Sequence, residues 1–119
     1  MQFDSTRPIW LQVMEQIQID IVTGKKQPGE KLPGGRDLAM IYSINPNTAA
    51  RVYQELEKNG LCETRRGMGT YVTTREEQIL AAKQEMAQRT VEDFLKRMEL
   101  LGYSREQARE QLRKMEEEK

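Results

Sequence analysis

Asn45, Asn47, Thr48 and Arg51 crowd the start of one segment, NPNTAARVYQELEKNG, and Arg65, Arg66, Gly67 and Gly69 crowd the tip of the next, LCETRRGMGTYV. An amide and a guanidinium one helical turn apart suit bidentate contacts with adenine and guanine edges in a major groove. Arginines beside glycines on a hairpin tip suit phosphates or a minor groove, because glycine lets the backbone approach closely. The chemistry on offer is hydrogen bonding to double-stranded DNA. Arg36, a short way upstream, is expected to join at a phosphate or base edge; local pairing with Asp37 or Asp20 is the competing use. On an isolated helix Asn47 and Arg51 would read as ordinary solvated residues, and Arg65 and Arg66 as hairpin solubilisers. The elements around them change that reading.

Other chemistries find little support. Histidine is absent and Cys62 is the one cysteine, which excludes a Cys/His or Ser/His pair, a zinc finger and an intrachain disulfide. Gly67-Met68-Gly69 lies between two strand-like runs, so it reads as a turn and not as a phosphate cradle before a helix. No catalytic residue, metal site or cofactor is expected, and the chain does not read as an enzyme. Cys62 reads as a small strand residue, with a redox switch as its rival. No apolar run is long enough for a membrane span, and MQFDSTRPIW has neither a basic leader nor a long apolar core, so a cytoplasmic location is expected.

The length of 119 residues allows one modest domain and an appendage. Basic and acidic residues balance at 19 each, so any basic patch must be local. Residues 1–74 carry nine basic and eight acidic side chains, which narrows the candidates to Arg36, Arg51, Arg65 and Arg66.

Around these residues the pattern predicts a helix over 8–23, with Trp10, Val13, Met14, Ile17 and Ile21 on a buried stripe and Gln12, Glu15, Gln16 and Asp20 wet. Leu32, in the following loop, is expected to plug the core. A short helix over 34–42 would partly bury Leu38, Ala39, Ile41 and Tyr42. Asn45 as N-cap and Pro46 in the first turn start the next helix, whose Ala49, Val52, Tyr53 and Leu56 face inward. Two helices separated only by Ser43 and Ile44 must cross, giving a helix-turn-helix. Gly60 stops the second, and the runs 61–65 and 70–74 make a wing.

From Glu76 a long helix carries Leu80, Ala87, Val91, Phe94, Met98 and Leu101 on a heptad-like seam that needs a partner helix. Ser104 with Gln107 forms a capping box for a last helix bearing Ala108, Leu112 and Met115. That helix is too short to stand alone. Glu116 to Lys119 are expected to fray.

The segment PGEKLPGGRDLAMIYSINPNTAARVYQELEKNGLCETRRGMGTYV resembles the DNA-binding domain of the GntR family of bacterial transcription regulators. The resemblance covers roughly residues 8–74 and rests on the order of several motifs: PGEKLP, Arg-Asp-Leu-Ala, Asn-Pro-Asn-Thr, Leu-Glu-x-x-Gly-Leu and Arg-x-Gly-x-Gly-Thr-Tyr-Val. Asn-Pro-Asn-Thr with a short tail is most similar to the small YtrA-type branch. It implies a short strand near Lys31–Leu32 beside the wing. Where the family has Ser followed by Glu or Val, this chain has Gly34-Gly35; losing the serine cap costs about a few tenths of a kcal/mol if glycine caps instead.

The expected fold is therefore mainly α: a winged helix-turn-helix with a small β-hairpin wing (residues 1–74) and a two-helix C-terminal dimerisation tail (75–119). The expected function is sequence-specific DNA binding as a homodimeric repressor on an inverted-repeat operator. The resemblance also suggests control of an operon that often includes a transporter. Two other readings stand beside it: a winged helix used to bind protein, and a regulator with a small-molecule effector between the tails of the dimer. Larger family members sense metabolites with a big C-terminal domain, whereas a tail of about 45 residues is too small to enclose a drug-sized pocket in one subunit.

Overall fold

A computed structural model describes residues 1–118 as α1 (Ile9–Val22), α2 (Gly35–Tyr42), α3 (Pro46–Lys58), β1 (Cys62–Arg65), β2 (Gly69–Val72), α4 (Glu76–Leu100) and α5 (Arg105–Glu117). The chain divides into two compact units, Met1–Ala82 and the stretch from Lys83 onward. Ile79 and Ala82, in the first turns of α4, pack on the core of the first unit, so that core reaches past residue 74. No helix among the described residues is long and apolar enough to cross a membrane.

The first unit is built around α3, which packs against both α1 and α2. Its start follows from local chemistry: the Asn45 side chain accepts a hydrogen bond from the Asn47 amide at 2.7 Å, and Pro46 stands where the missing N–H costs nothing. Its end is equally local. The Leu61 amide donates to Leu56 O and the Gly60 amide to Glu57 O, both at 3.0 Å, with Gly60 left-handed at φ 75°. This reciprocal closure also brings Leu56 and Leu61, both wholly buried, to the same place. α2 closes by the same pair of bonds, Ile44 to Ala39 and Ser43 to Met40, but through Ser43 at φ 54°. At its other end Gly34 stands as N-cap without a side-chain bond, the outcome expected of Gly34-Gly35.

Val13, Met14, Ile17 and Ile21 of α1 fill the core with Leu32, Leu38, Ala39 and the inner stripe of α3. Three details depart from the periodic reading. Gln12 and Asp20 are buried, not wet. Gln12 accepts from the Asp4 amide and donates to the Asp4 and Arg7 carbonyls, so its burial satisfies the backbone of the N-terminal segment that crosses over it. Asp20 accepts from Gln16 at 3.1 Å. Ile41 is 62% exposed, because successive helical residues turn by about 100° and Leu38 and Ala39 take the inward side.

β1 and β2 pair antiparallel, Cys62 with Val72 and Arg65 with Gly69. The strand implied near Lys31 is a single bridge to Tyr71, reinforced by the Leu32 amide to Thr70 O and the Val72 amide to Glu30 O.

In the second unit the Ser104–Gln107 capping box is formed in both directions. Ala108 is fully buried there, while Leu112 and Met115 line a cleft of about 250 Å³ with Phe94, Met98 and Leu101. Glu116 and Glu117 end α5 and Glu118 follows as its C-cap; of the residues expected to fray, Lys119 lies outside the described residues.

The closure of α3 yields a test. Gly60→Ala forces a Cβ into the left-handed region, 3.2 Å from the Gln78 side chain. Urea unfolding of this variant is expected to show a loss of about 1–2 kcal/mol.

Candidate nucleic-acid interface

The outward face of α3 is built by the same periodicity that buries its other side. Asn47, Arg51, Gln54 and Lys58 are exposed, and Thr48 is half-buried beside Ala49. Asn45 is exposed too, but its side-chain oxygen is spent on the Asn47 amide, which leaves its NH₂ as the group able to donate outward. Arg51 does not project freely. Its guanidinium lies over the indole of Trp10, 4.2 Å from the ring centroid. Trp10, read in sequence as part of the buried stripe, is half-buried at the edge of the core and forms a platform for this arginine.

On the wing the Met68 amide bonds back to Arg65 O at 2.8 Å, closing a turn over Arg66 and Gly67. Gly67 has φ 75° and open space around it, so its backbone is the part of the tip free to be approached closely. Gly69, at φ 115°, lies against the Lys31 side chain, where an added Cβ would sit 3.1 Å from Lys31 Cε. Arg65 stacks over Tyr71, again 4.2 Å from the centroid, and the Tyr71 hydroxyl donates to Met68 O at 3.3 Å. Arg66 is exposed at the tip, and Arg36 is exposed in the first turn of α2.

A groove of about 940 Å³ separates α2 from the wing tip, with Lys26, Lys31, Gly34, Asp37, Met68 and Gly69 among its walls. It brings the start of α2 and the wing to one place, while Arg51 belongs to the α1 edge of α3. Sequence reasoning missed Trp10 and Tyr71 as arginine platforms. The one available signal was an aromatic residue near each arginine's element, and periodicity assigns such residues to packing.

The arginines of the first unit sort into two groups. Arg7 pairs with Glu15 and Arg75 with Glu77, whereas no carboxylate of the described residues lies within ion-pair distance of Arg36, Arg51, Arg65 or Arg66. Neither Asp37 nor Asp20 pairs with Arg36.

The profile of the family described as "Bacterial regulatory proteins, gntR family" matches residues 10–72, which span the helix-turn-helix and wing just described. The chain belongs to this family. It is 40% identical over 106 residues to the uncharacterized HTH-type transcriptional regulator YhcF of Bacillus subtilis, covering 89% of this chain and 88% of that one. It is 45% identical over 69 residues to the transcriptional repressor YtrA of the same organism, covering 58% of this chain and 53% of YtrA, in agreement with the YtrA-like branch. A GntR family transcriptional regulator from Listeria monocytogenes superimposes with a TM-score of 0.85 at 35% identity, over 94% of this chain and 98% of that one. The DNA-binding domain of AraR, solved in complex with operator ORX1, matches with a TM-score of 0.55 at 27% identity over 61% of this chain and 89% of that one. The gntR chain described here is thus a winged-helix, DNA-binding transcription regulator, in a family of regulators and not of enzymes.

Cys62 is buried at the base of the wing in this gntR protein. Burial, and secondarily the Glu57 carboxylate, push its thiol up from 9.0 to about 12. The thiolate is the reactive form, so this cysteine is poorly suited to redox sensing. A raised folded pKa also means stability that is complete below pH 9 and lost as pH rises toward 12. Thiol trapping at pH 8 is expected to follow unfolding. The melting temperature of wild type relative to Cys62→Ala is expected to fall progressively between pH 9 and 12.

Proposed function

We propose that the chain represses transcription as a homodimer that reads an inverted-repeat operator, with α3 in the major groove and the wing at the adjacent backbone or minor groove. The observation that carries this reading is the sorting of the arginines: the four at α2, α3 and the wing have their guanidinium edges unspent by carboxylates, while Arg7 and Arg75 are paired. Base reading is assigned to Asn47, Thr48 and Arg51, and backbone contact to Arg36, Asn45, Arg65, Arg66, Gly67 and Gly69. Support for an operator as partner comes from the AraR–operator complex, and support for repression from the relative YtrA, described as a repressor.

Dimerisation is assigned to Leu80, Ala87, Val91, Phe94, Met98 and Leu101. Leu80 and Val91 are 56% and 55% exposed and Leu101 71%, whereas Phe94 and Met98 are half-buried. A stripe this apolar on a long polar helix is what a second copy would cover. One recognition helix covers few base pairs and the chain is neutral overall, so useful affinity needs two heads on one duplex.

Selection of bound sites from random duplexes tests the reading first, since a protein that enriches no sequence would sink it. On the selected site Arg51→Ala is expected to cost about 1–3 kcal/mol and relax preference at one base pair. Arg66→Ala should weaken preferred and scrambled duplexes alike, and reduce the slope of log affinity against log salt by about one. Equal losses on both duplexes for Arg51→Ala would remove it from base reading.

Dimerisation is checked separately. Charged residues at Val91 and Phe94 are expected to give a monomer by sedimentation, with much of the operator affinity gone and the winged unit still folded. A variant that stays dimeric moves the interface to Leu112 and Met115 or to the first unit.

A further inference from the structure

Arg51 reaches its platform across two helices, and the platform is better fixed than the arginine. Trp10 sits one turn before Val13 and Met14 on α1 and packs against the core, while Arg51 is exposed. A guanidinium held over a ring face keeps the N–H donors that point away from the ring available. An ion pair would have consumed those donors. Stacking therefore orders the side chain and leaves its recognition chemistry intact.

We propose that Trp10 is a positioning residue for base readout: it holds Arg51 in a stacked conformation with the guanidinium edge unspent, and so helps set the sequence preference of α3. The inference rests on the reading of α3 as the base-reading helix. Two further observations support it. Arg51 has no carboxylate within ion-pair distance among the described residues, so the indole is the contact that orders its charged end. The same arrangement recurs on the wing, where Arg65 stacks over Tyr71 at the same 4.2 Å. A free arginine loses much rotamer freedom when it docks, and a side chain ordered beforehand loses less. Trp10 thus acts on specificity through Arg51 and without a contact of its own to the bases.

The test compares the full chain with Trp10→Phe, Trp10→Leu, Trp10→Met, Arg51→Ala and the Trp10→Leu/Arg51→Ala double variant. Each is titrated on the selected duplex and on a scrambled one, and melting temperatures identify which variants are folded. Trp10→Phe keeps a ring and should retain most of the discrimination. Trp10→Leu should lower the ratio of selected to scrambled affinity by about two- to fivefold, the range of an exposed cation–π contact. It should cause no further loss of discrimination once Arg51 is alanine. Trp10→Met provides the same comparison if the leucine variant is poorly folded.

Wild-type discrimination in both aliphatic variants would overturn the proposal. So would an equal loss with and without Arg51, which would make Trp10 a packing residue only. A wild-type chain that prefers no duplex would overturn the base-reading assignment and this proposal together, and that result would appear before any variant is compared.

Discussion

The inner stripe of α3 is the constraint on which the rest of the first unit depends. Ala49, Val52 and Leu56 are wholly excluded from solvent, and α1 and α2 reach them from two sides. Burying a Val or Leu side chain stabilises by about 1.5–3 kcal/mol, so the helix that carries the proposed reading face is also a large contributor to the core. Tyr53 completes the stripe at a polar margin: its hydroxyl donates to Pro33 O, which ties the loop before α2 to α3. Burial raises the pKa of that hydroxyl well above the ordinary tyrosine value, so the phenol remains a donor into the alkaline range. A shift of α3 would therefore disturb α1, α2 and the loop together. The orientation of the outward side chains is fixed by the same contacts that make the unit stable.

Much of this was legible in the sequence because it is local. Asn45-Pro46, Gly60 and the Ser104–Gln107 pair mark helix ends through bonds made within a few residues, and each forms as those residue types require. The inward positions of α3 repeat at three and four, so a single period identifies them. What escaped was set by chain segments distant in sequence. Gln12 is polar and sits beside the apolar stripe; only the N-terminal segment crossing over it makes burial favourable, through bonds to Asp4 and Arg7. Ile41 is apolar yet exposed because an eight-residue helix has room to bury little more than Leu38 and Ala39. The seat of Arg51 on Trp10 joins residues about forty positions apart, beyond what helical periodicity can read.

The electrostatic design follows from a neutral chain. With equal numbers of acidic and basic residues, a local positive face arises only if the carboxylates are used elsewhere. Arg7, Arg75, Arg89 and Arg113 each hold an acidic partner, and Lys26 and Lys58 do as well. Surface pairs of this kind contribute little to stability. Their larger effect is on where unpaired positive charge remains, which in the first unit is at Arg36, Arg51, Arg65 and Arg66 together with Lys25 and Lys31.

The bridge between Lys31 and Tyr71 divides the hairpin into two mechanical regimes. At its base, Glu30 and Leu32 bond to Val72 and Thr70, so the ladder has a neighbour on its outer edge and the core beneath it at Cys62 and Val72. Beyond Thr70 that backbone neighbour is gone, and the tip from Arg65 to Gly69 is held by its own turn, by the stacking of Arg65 and by the Lys31 side chain against Gly69. A beam clamped at one end deflects most at the other. In the proposed complex the arginine-bearing tip would be the part able to follow the local width of a DNA groove, which varies with base composition, while its root keeps register with α3. Backbone support of this hairpin is graded along its length, and the grading is set by one rung contributed from a loop.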